Sequence, residues 1–191
     1  EALGKTWFSI TNVKTGVYWN APYSNQEFNL TILFTQIKKL KDNFKSYLVS
    51  PALTLKDIAG KQLNFDWKTG TVKGNTKLSV ILINKKGELI DKIGDIVPTS
   101  SNAAYEHYSA EIPEAVKDKG VGFVAFYEEG NKDNYTPFKL RNIETGEKST
   151  PVNITVEPAE LDFGSVVINQ ASEEKFTTIT VTNFKGEKII P

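Results

Sequence analysis

The feature that most constrains this chain is an alternation of apolar and polar residues with period two, in short runs separated by turn residues. The clearest run is Gln62-Leu63-Asn64-Phe65-Asp66-Trp67-Lys68, with Leu63, Phe65 and Trp67 on one side and Asn64, Asp66 and Lys68 on the other. Successive side chains of a strand point to opposite faces, so this run reads as a strand with one face in a core. Leu78-Ser79-Val80-Ile81-Leu82-Ile83-Asn84 is apolar at nearly every position, the pattern of a central strand covered on both faces. Lys86-Gly87 followed by Glu88-Leu89-Ile90 reads as its hairpin return.

The same grammar recurs along the chain. Trp7 to Val13, a turn at Lys14-Thr15-Gly16 and Val17-Tyr18-Trp19 form an N-terminal pair. Tyr105 to Ile112 keeps Tyr108, Ala110 and Ile112 in phase, and Pro113 to Lys117 reads as one helical turn before Gly120. Val121 to Tyr127 is a buried strand, Glu128 to Tyr135 a polar loop, and Phe138 to Ile143 a last strand. One stretch departs from this pattern: Ile37, Leu40, Phe44 and Tyr47 recur at spacings of three and four, which predicts a helical face, either as a full helix or as one turn packed over a sheet edge. Many short strands without a βαβ rhythm predict an all-β sandwich or jelly roll.

At Gly146-Glu147-Lys148-Ser149-Thr150-Pro151 the composition becomes that of a linker, which sets expected domains at 1–146 and 151–191. Beyond it Val152, Ile154 and Val156 alternate with polar residues, and Leu161 with Phe163, Val166 with Ile168, and Ile179 with Val181 form in-phase pairs. About three strands are expected there, too few to bury a core alone, so a chain continuing past Pro191 is expected.

Composition removes several classes of function. Lys and Arg total 23, as do Asp and Glu, so the basic excess of a nucleic-acid binder is missing. Without cysteine there is no disulfide, thiol catalysis or cysteine-held metal. No apolar run is long enough to cross a bilayer, and Glu1-Ala2-Leu3-Gly4 carries no leader-like segment, so any signal is expected to have been removed.

Three local stretches resemble one family. Ser46-Tyr47-Leu48-Val49-Ser50-Pro51-Ala52-Leu53-Thr54-Leu55 is similar to the WLVSP strand of choice-of-anchor J and cleaved-adhesin jelly rolls. Leu63-Asn64-Phe65-Asp66 resembles their following L-x-F-D strand, and Leu140-Arg141-Asn142-Ile143 their closing I-D-N-I strand. The resemblance implies a galactose-binding-like jelly roll from an exported bacterial surface protein. Ile154 to Val166 resembles the opening V-x-P-x-x-L-D-F-G-x-V of bacterial immunoglobulin-like repeats, which implies a spacer or assembly module. Relatives often carry an acidic D-x-D-G-D-G loop suited to calcium; here the comparable Thr11-Asn12-Val13-Lys14-Thr15-Gly16 has a lysine among its residues.

Catalytic chemistry finds little support. His107 is the only histidine, and no Gly-x-Ser-x-Gly elbow accompanies it, so it reads as a strand histidine. Gly70-Thr71-Val72-Lys73-Gly74 reads as a hairpin turn, not a phosphate loop. Paired carboxylates, as in a glycosidase, stay open because any two acids across a cleft suffice. Glu129, Asn131 and Asp133 place oxygens at alternate positions where a hard cation such as calcium could sit, although Lys132 interrupts them.

The aromatics flanking polar loops are the binding candidates. Trp19, Tyr23 and Asn25 border the Asn- and Ser-rich stretch after the first strands, Tyr105 follows Thr99 to Asn102, and Tyr135 ends the polar loop. A ring beside amides or carboxylates suits a sugar; the alternative is that these rings cap the sandwich core. The sequence thus predicts a non-catalytic adhesion or binding module at the cell surface or outside the cell, with a glycan or a host or cell-surface protein as partner. A structural spacer is the first alternative and a carboxylate enzyme the second.

Overall fold

The computed structural model of the protein describes residues 2–3, 7–21, 27–147, 153–166 and 168–182. It divides into two compact units, Glu1–Lys148 and Ser149–Pro191. In the first unit the alternation resolves into two antiparallel sheets. The larger runs β1 (Ala2–Leu3), β2 (Trp7–Thr11), β5 (Phe44–Val49), β11 (Val121–Gly130), β8 (Leu78–Ile83), β9 (Leu89–Ile96), with β6 (Leu53–Thr54) also pairing β11. The smaller runs β10 (Glu106–Glu111), β7 (Gln62–Thr69), β12 (Phe138–Gly146), β4 (Glu27–Ile32), β3 (Val17–Asn20). This is the all-β sandwich that the period-two pattern predicts.

The in-phase apolar residues of both sheets meet between them. Phe126 of β11 sits edge-on to Phe65 of β7 at 5.0 Å between ring centroids, and Trp7 of β2 lies 5.1 Å from Phe28 of β4. Leu78, Val80 and Leu82 of β8 face the same core with Leu48, Leu63, Phe138 and Leu140. Two glycines mark close approaches. Gly16, at φ +90°, turns β2 into β3 where a Cβ would lie 2.4 Å from the Gln36 side chain. Gly94 leaves room for the Tyr108 hydroxyl.

Two expectations are corrected. The helical spacing from Ile37 to Tyr47 takes the single-turn alternative, α1 (Phe34–Ile37), and does not reach Phe44 and Tyr47, which belong to β5, hydrogen-bonded to β2 on one side and β11 on the other. A second turn, α2 (Leu55–Ile58), tucks Leu55 and Ile58 into the core. Two flanking strands satisfy every backbone group of a segment that a short helix would leave half-capped, and tertiary pairing prevails over spacing. The polar loop expected from Glu128 begins later, because β11 runs on to Gly130 and turns Glu128 inward to 0% exposure.

In the second unit β13 (Asn153–Glu157) pairs antiparallel with β14 (Thr178–Thr182). Ile154 is opposite Val181 and Val156 opposite Ile179, so the apolar residues share one face. Leu161, Phe163, Val166 and Ile168, expected in strands, lie in none among the described residues. Ile154 is 65% and Phe176 78% exposed. A two-stranded sheet with an uncovered apolar face is marginal in water. Hydrogen exchange on the intact chain is therefore expected to show β13 and β14 amides exchanging orders of magnitude faster than those of β11. Equal protection in both units would contradict this.

Candidate functional site

Strand pairing sets rows of side chains on the outer face of the larger sheet, away from the core. One row crosses five strands: Ile10, Tyr47, Tyr127, Ser79 and Asp95. The next carries Phe8, Val49, Ala125, Ile81 and Lys92. This face is apolar where a half-solvated sheet would be polar: Val49, Ile83 and Ala125 are buried beneath Tyr47, Ile81 and Phe123, while Phe8 and Ile10 stay exposed. The β8 pattern predicted cover on both faces, and on this side rings provide it. Tyr47 and Tyr127 stack at 4.5 Å with 23° between their planes.

Tyr127, the β11 ring of this stack, lines a cleft of about 470 Å³. Asn43, Tyr127, Glu129 and Gly130 form one side, Asn75, Thr76, Lys77 and Ser79 another, and Asn131 with Asn134 part of the rim. The side chains hold each other. The Tyr127 hydroxyl donates to Glu129 Oε2 at 2.5 Å, Asn43 Nδ2 to Glu129 Oε1 at 3.1 Å, and Asn131 Nδ2 to Asn43 Oδ1 at 3.3 Å. The Tyr127 hydroxyl and then Asn43 hold the Glu129 carboxyl below its ordinary range, and burial followed by the Glu129 bond raises Tyr127. Across the cleft Ser79 Oγ, Lys77 Nζ and Lys92 Nζ all donate to Asp95. Burial pushes that carboxyl up, but the three donors outweigh it and hold it at about 2. The result is a preorganised set of amides, hydroxyls and ionised carboxylates beside an aromatic surface.

The residues predicted from sequence scatter. Trp19 is 1% exposed and packs between the sheets, so it presents no face to solvent. Tyr135, at 8%, lies mostly in the core with Lys73 Nζ 5.4 Å from its ring centre. Tyr23 and Asn25 lie outside the described residues. Tyr105 is on the other sheet, where its hydroxyl donates to Glu27 at 2.6 Å and Arg141 and Lys68 lie over its ring at 3.8 and 4.4 Å. Of the proposed cation ligands, Glu129 and Asn131 join the cleft. Asn131 Oδ1 already accepts the Asp133 and Asn134 amides, and Asp133 pairs with Lys132 and Lys73. As placed, the trio is wired to protein donors rather than open to a cation, and no cluster of three or more His, Cys, Asp or Glu suited to a metal occurs among the described residues.

The outer face of the smaller sheet offers the best carboxylate pair. Asp66 and Glu27 flank Arg141 in one row, about 10 Å apart by strand spacing. Asp66 accepts from His107, Asn142 and Arg141, and Glu27 from Tyr105. His107 chiefly lowers the Asp66 pKa and Tyr105 that of Glu27. A glycosidase pair needs one carboxyl raised to act as an acid, and neither is. Asn142, at φ +53°, sits in a bulge of β12 and is pinned by its bond to Asp66. Asparagine is among the few residues that tolerate that backbone.

Compared with solved structures, the first unit has a recognisable counterpart. The K3 cleaved adhesin domain of Lys-gingipain from Porphyromonas gingivalis aligns with a TM-score of 0.52 at 16% identity, over 74% of this chain and 91% of that one. The fold matches that of a cleaved adhesin domain. The K1 cleaved adhesin domain of the same protein gives 0.49 at 14% identity, over 78% and 96% of the two chains. A mutant family 29 carbohydrate binding module solved with cellulohexaose gives 0.44 at 13%, over 75% and 82%. No family model and no curated protein matches the sequence. The stretches that resemble cleaved adhesins fall on β5 with β6, on β7 and on β12. No helix among the described residues is long and apolar enough to cross a membrane, which says nothing of a β-barrel.

Sequence reasoning missed Tyr47, Tyr127, Asn43 and Asn75. A faint signal existed: Tyr47 is out of phase with Phe44 and Leu48, and Tyr127 with Phe126, so both tyrosines belong on an outer face. That they are neighbours follows only from the pairing of β5 with β11.

Proposed function

We propose that the first unit is a non-catalytic binding module that takes a glycan on the outer face of its larger sheet. The observation that carries this is Tyr127, stacked on Tyr47, lining a cleft rich in amides and hydroxyls. Sugars offer a ring face of C–H groups to an aromatic plate and hydroxyls to fixed polar partners, and this arrangement supplies both. In this reading the protein is exported or held at a cell surface, and the second unit is an immunoglobulin-like connector. The apolar register of Ile154, Val156, Ile179 and Val181 supports the connector role, because such a face belongs against a second sheet.

The test is a glycan array on the intact chain, followed by titration of any hit. Tyr127→Ala is expected to weaken binding at least tenfold, about 1.4 kcal/mol. Asn131→Ala should weaken it too, and Tyr105→Ala should leave it unchanged. A hit indifferent to Tyr127→Ala would move the site elsewhere. A blank array would favour the spacer reading or recognition of a protein surface.

A further inference from the structure

Glu128 is a carboxylic acid inside the sandwich, at the β11 position between two residues of one side of the cleft, Tyr127 and Glu129. Its Oε1 accepts the Thr136 amide at 2.8 Å, which pulls the 131–137 connection back onto β11. Thr136 Oγ1 shares a hydrogen bond with Thr76 Oγ1 at 2.7 Å, which ties that connection to the one entering β8. The two connections are zipped further by Lys73 and Tyr135, which exchange backbone hydrogen bonds of 3.0 and 2.8 Å, and by the Asn75 amide on Asn134 Oδ1 at 3.3 Å. Asn75, Thr76, Asn131 and Asn134 are cleft residues. One side of the site therefore hangs on a hydrogen bond to a buried acid.

The other oxygen, Oε2, has no hydrogen-bond partner, and neither has Oγ of Ser46, the residue directly opposite on β5. Among the described residues no cation pairs with the carboxyl. Lys45 and Glu129 are on the outer side of their strands, Lys73, Lys77, Lys132 and Asp133 have exposed side chains on the two connections, and Tyr135, next to Thr136, is buried. A buried carboxyl without a charged partner is stable only while it keeps its proton.

We propose that Glu128 is a positioning residue for the cleft: protonated, it clamps the 131–137 connection and Thr76 in place, and on ionising it releases that side of the site and the bound ligand with it. The ligand half of this inference rests on the glycan-binding reading; the clamp half does not. Burial raises the Glu128 pKa to about 8, opposed only by the bonds from Thr136 and Thr76, so the clamp weakens as pH rises toward 8 and has nothing further to lose above it. Ionisation favours opening because water solvates the charge that the core cannot.

The experiment reads both halves separately. Exchange of the Thr136 amide is followed by NMR from pH 6 to 9.5 and corrected for intrinsic exchange, in the intact wild-type chain and in Glu128→Gln. The wild type should lose protection at least tenfold between pH 6 and pH 8 and level off above it while amides of β7 hold, and Glu128→Gln should stay flat. Affinity for the array hit should fall over the same pH range in the wild type alone. Thr136 protection that is flat in the wild type, or that falls equally in Glu128→Gln, overturns the clamp. Protection that follows Glu128 while affinity does not, or with no glycan bound at any pH, overturns the ligand half and leaves the clamp standing.

Discussion

Trp19→Ala is expected to cost the first unit about 3–5 kcal/mol of unfolding free energy, the range for deleting a large buried aromatic. The ring is buried in one core cluster with Val17, Phe28 and Leu30. The Trp19 amide donates to Ser9 Oγ at 2.9 Å, so β3 of the smaller sheet is also tied to β2 of the larger one there. Urea unfolding of the intact chain should show the midpoint falling with the slope unchanged. Trp19→Phe should lose far less. The indole Nε1 is buried with no hydrogen-bond partner, and removing an unsatisfied donor offsets part of the lost volume. An alanine variant as stable as the wild type but deficient in ligand binding would restore Trp19 as a ligand plate and overturn its assignment to the core.

Trp19 also shows where sequence reasoning stops. Alternation says that Val17 and Trp19 share a face, yet it cannot say which face meets the core when the neighbouring residues, Tyr18 and Asn20, include another ring. For β7 the opposite residues are Asn64, Asp66 and Lys68, and the face is unambiguous. The same limit hid the candidate site. Tyr47 falls at helical spacing from Ile37, Leu40 and Phe44, because a turn and the start of a strand lie side by side in that stretch. Tyr127 reads with Phe126 as one buried run, because β11 is apolar on both sides. The sandwich was legible because it depends on period and turns, which are local. The binding face depends on which strands are neighbours, and Tyr47 and Tyr127 are 80 positions apart.

The Glu128 carboxyl makes a prediction about stability separate from its clamp. Read in sequence with Glu129 and Gly130, it was one more acid of a polar loop; in the fold it ends the inner row of β11 that begins with Val124 and Phe126. Its pKa is about 4.5 when unfolded and about 8 when folded, so the folded state binds the proton more tightly. The contribution of this group is complete below pH 4.5, declines as pH rises from there, and is gone above about 8. At ~1.36 kcal/mol per pH unit the full swing is about 5 kcal/mol, a ceiling, because local opening around Thr136 caps it. Asp95 acts in the opposite sense: held at about 2, it contributes stability above its ordinary value of 3.8 that is lost as pH falls through 2. Glu128→Gln has no proton to lose and keeps the shape, so its advantage over the wild type should widen by about 3 kcal/mol between pH 5 and pH 9 in paired urea titrations. If the two curves stay parallel, the buried carboxyl finds compensation elsewhere, and neither its stability role nor its clamp survives. If they diverge while Thr136 protection holds, the charge is borne by the whole sandwich and the cleft is not where it escapes.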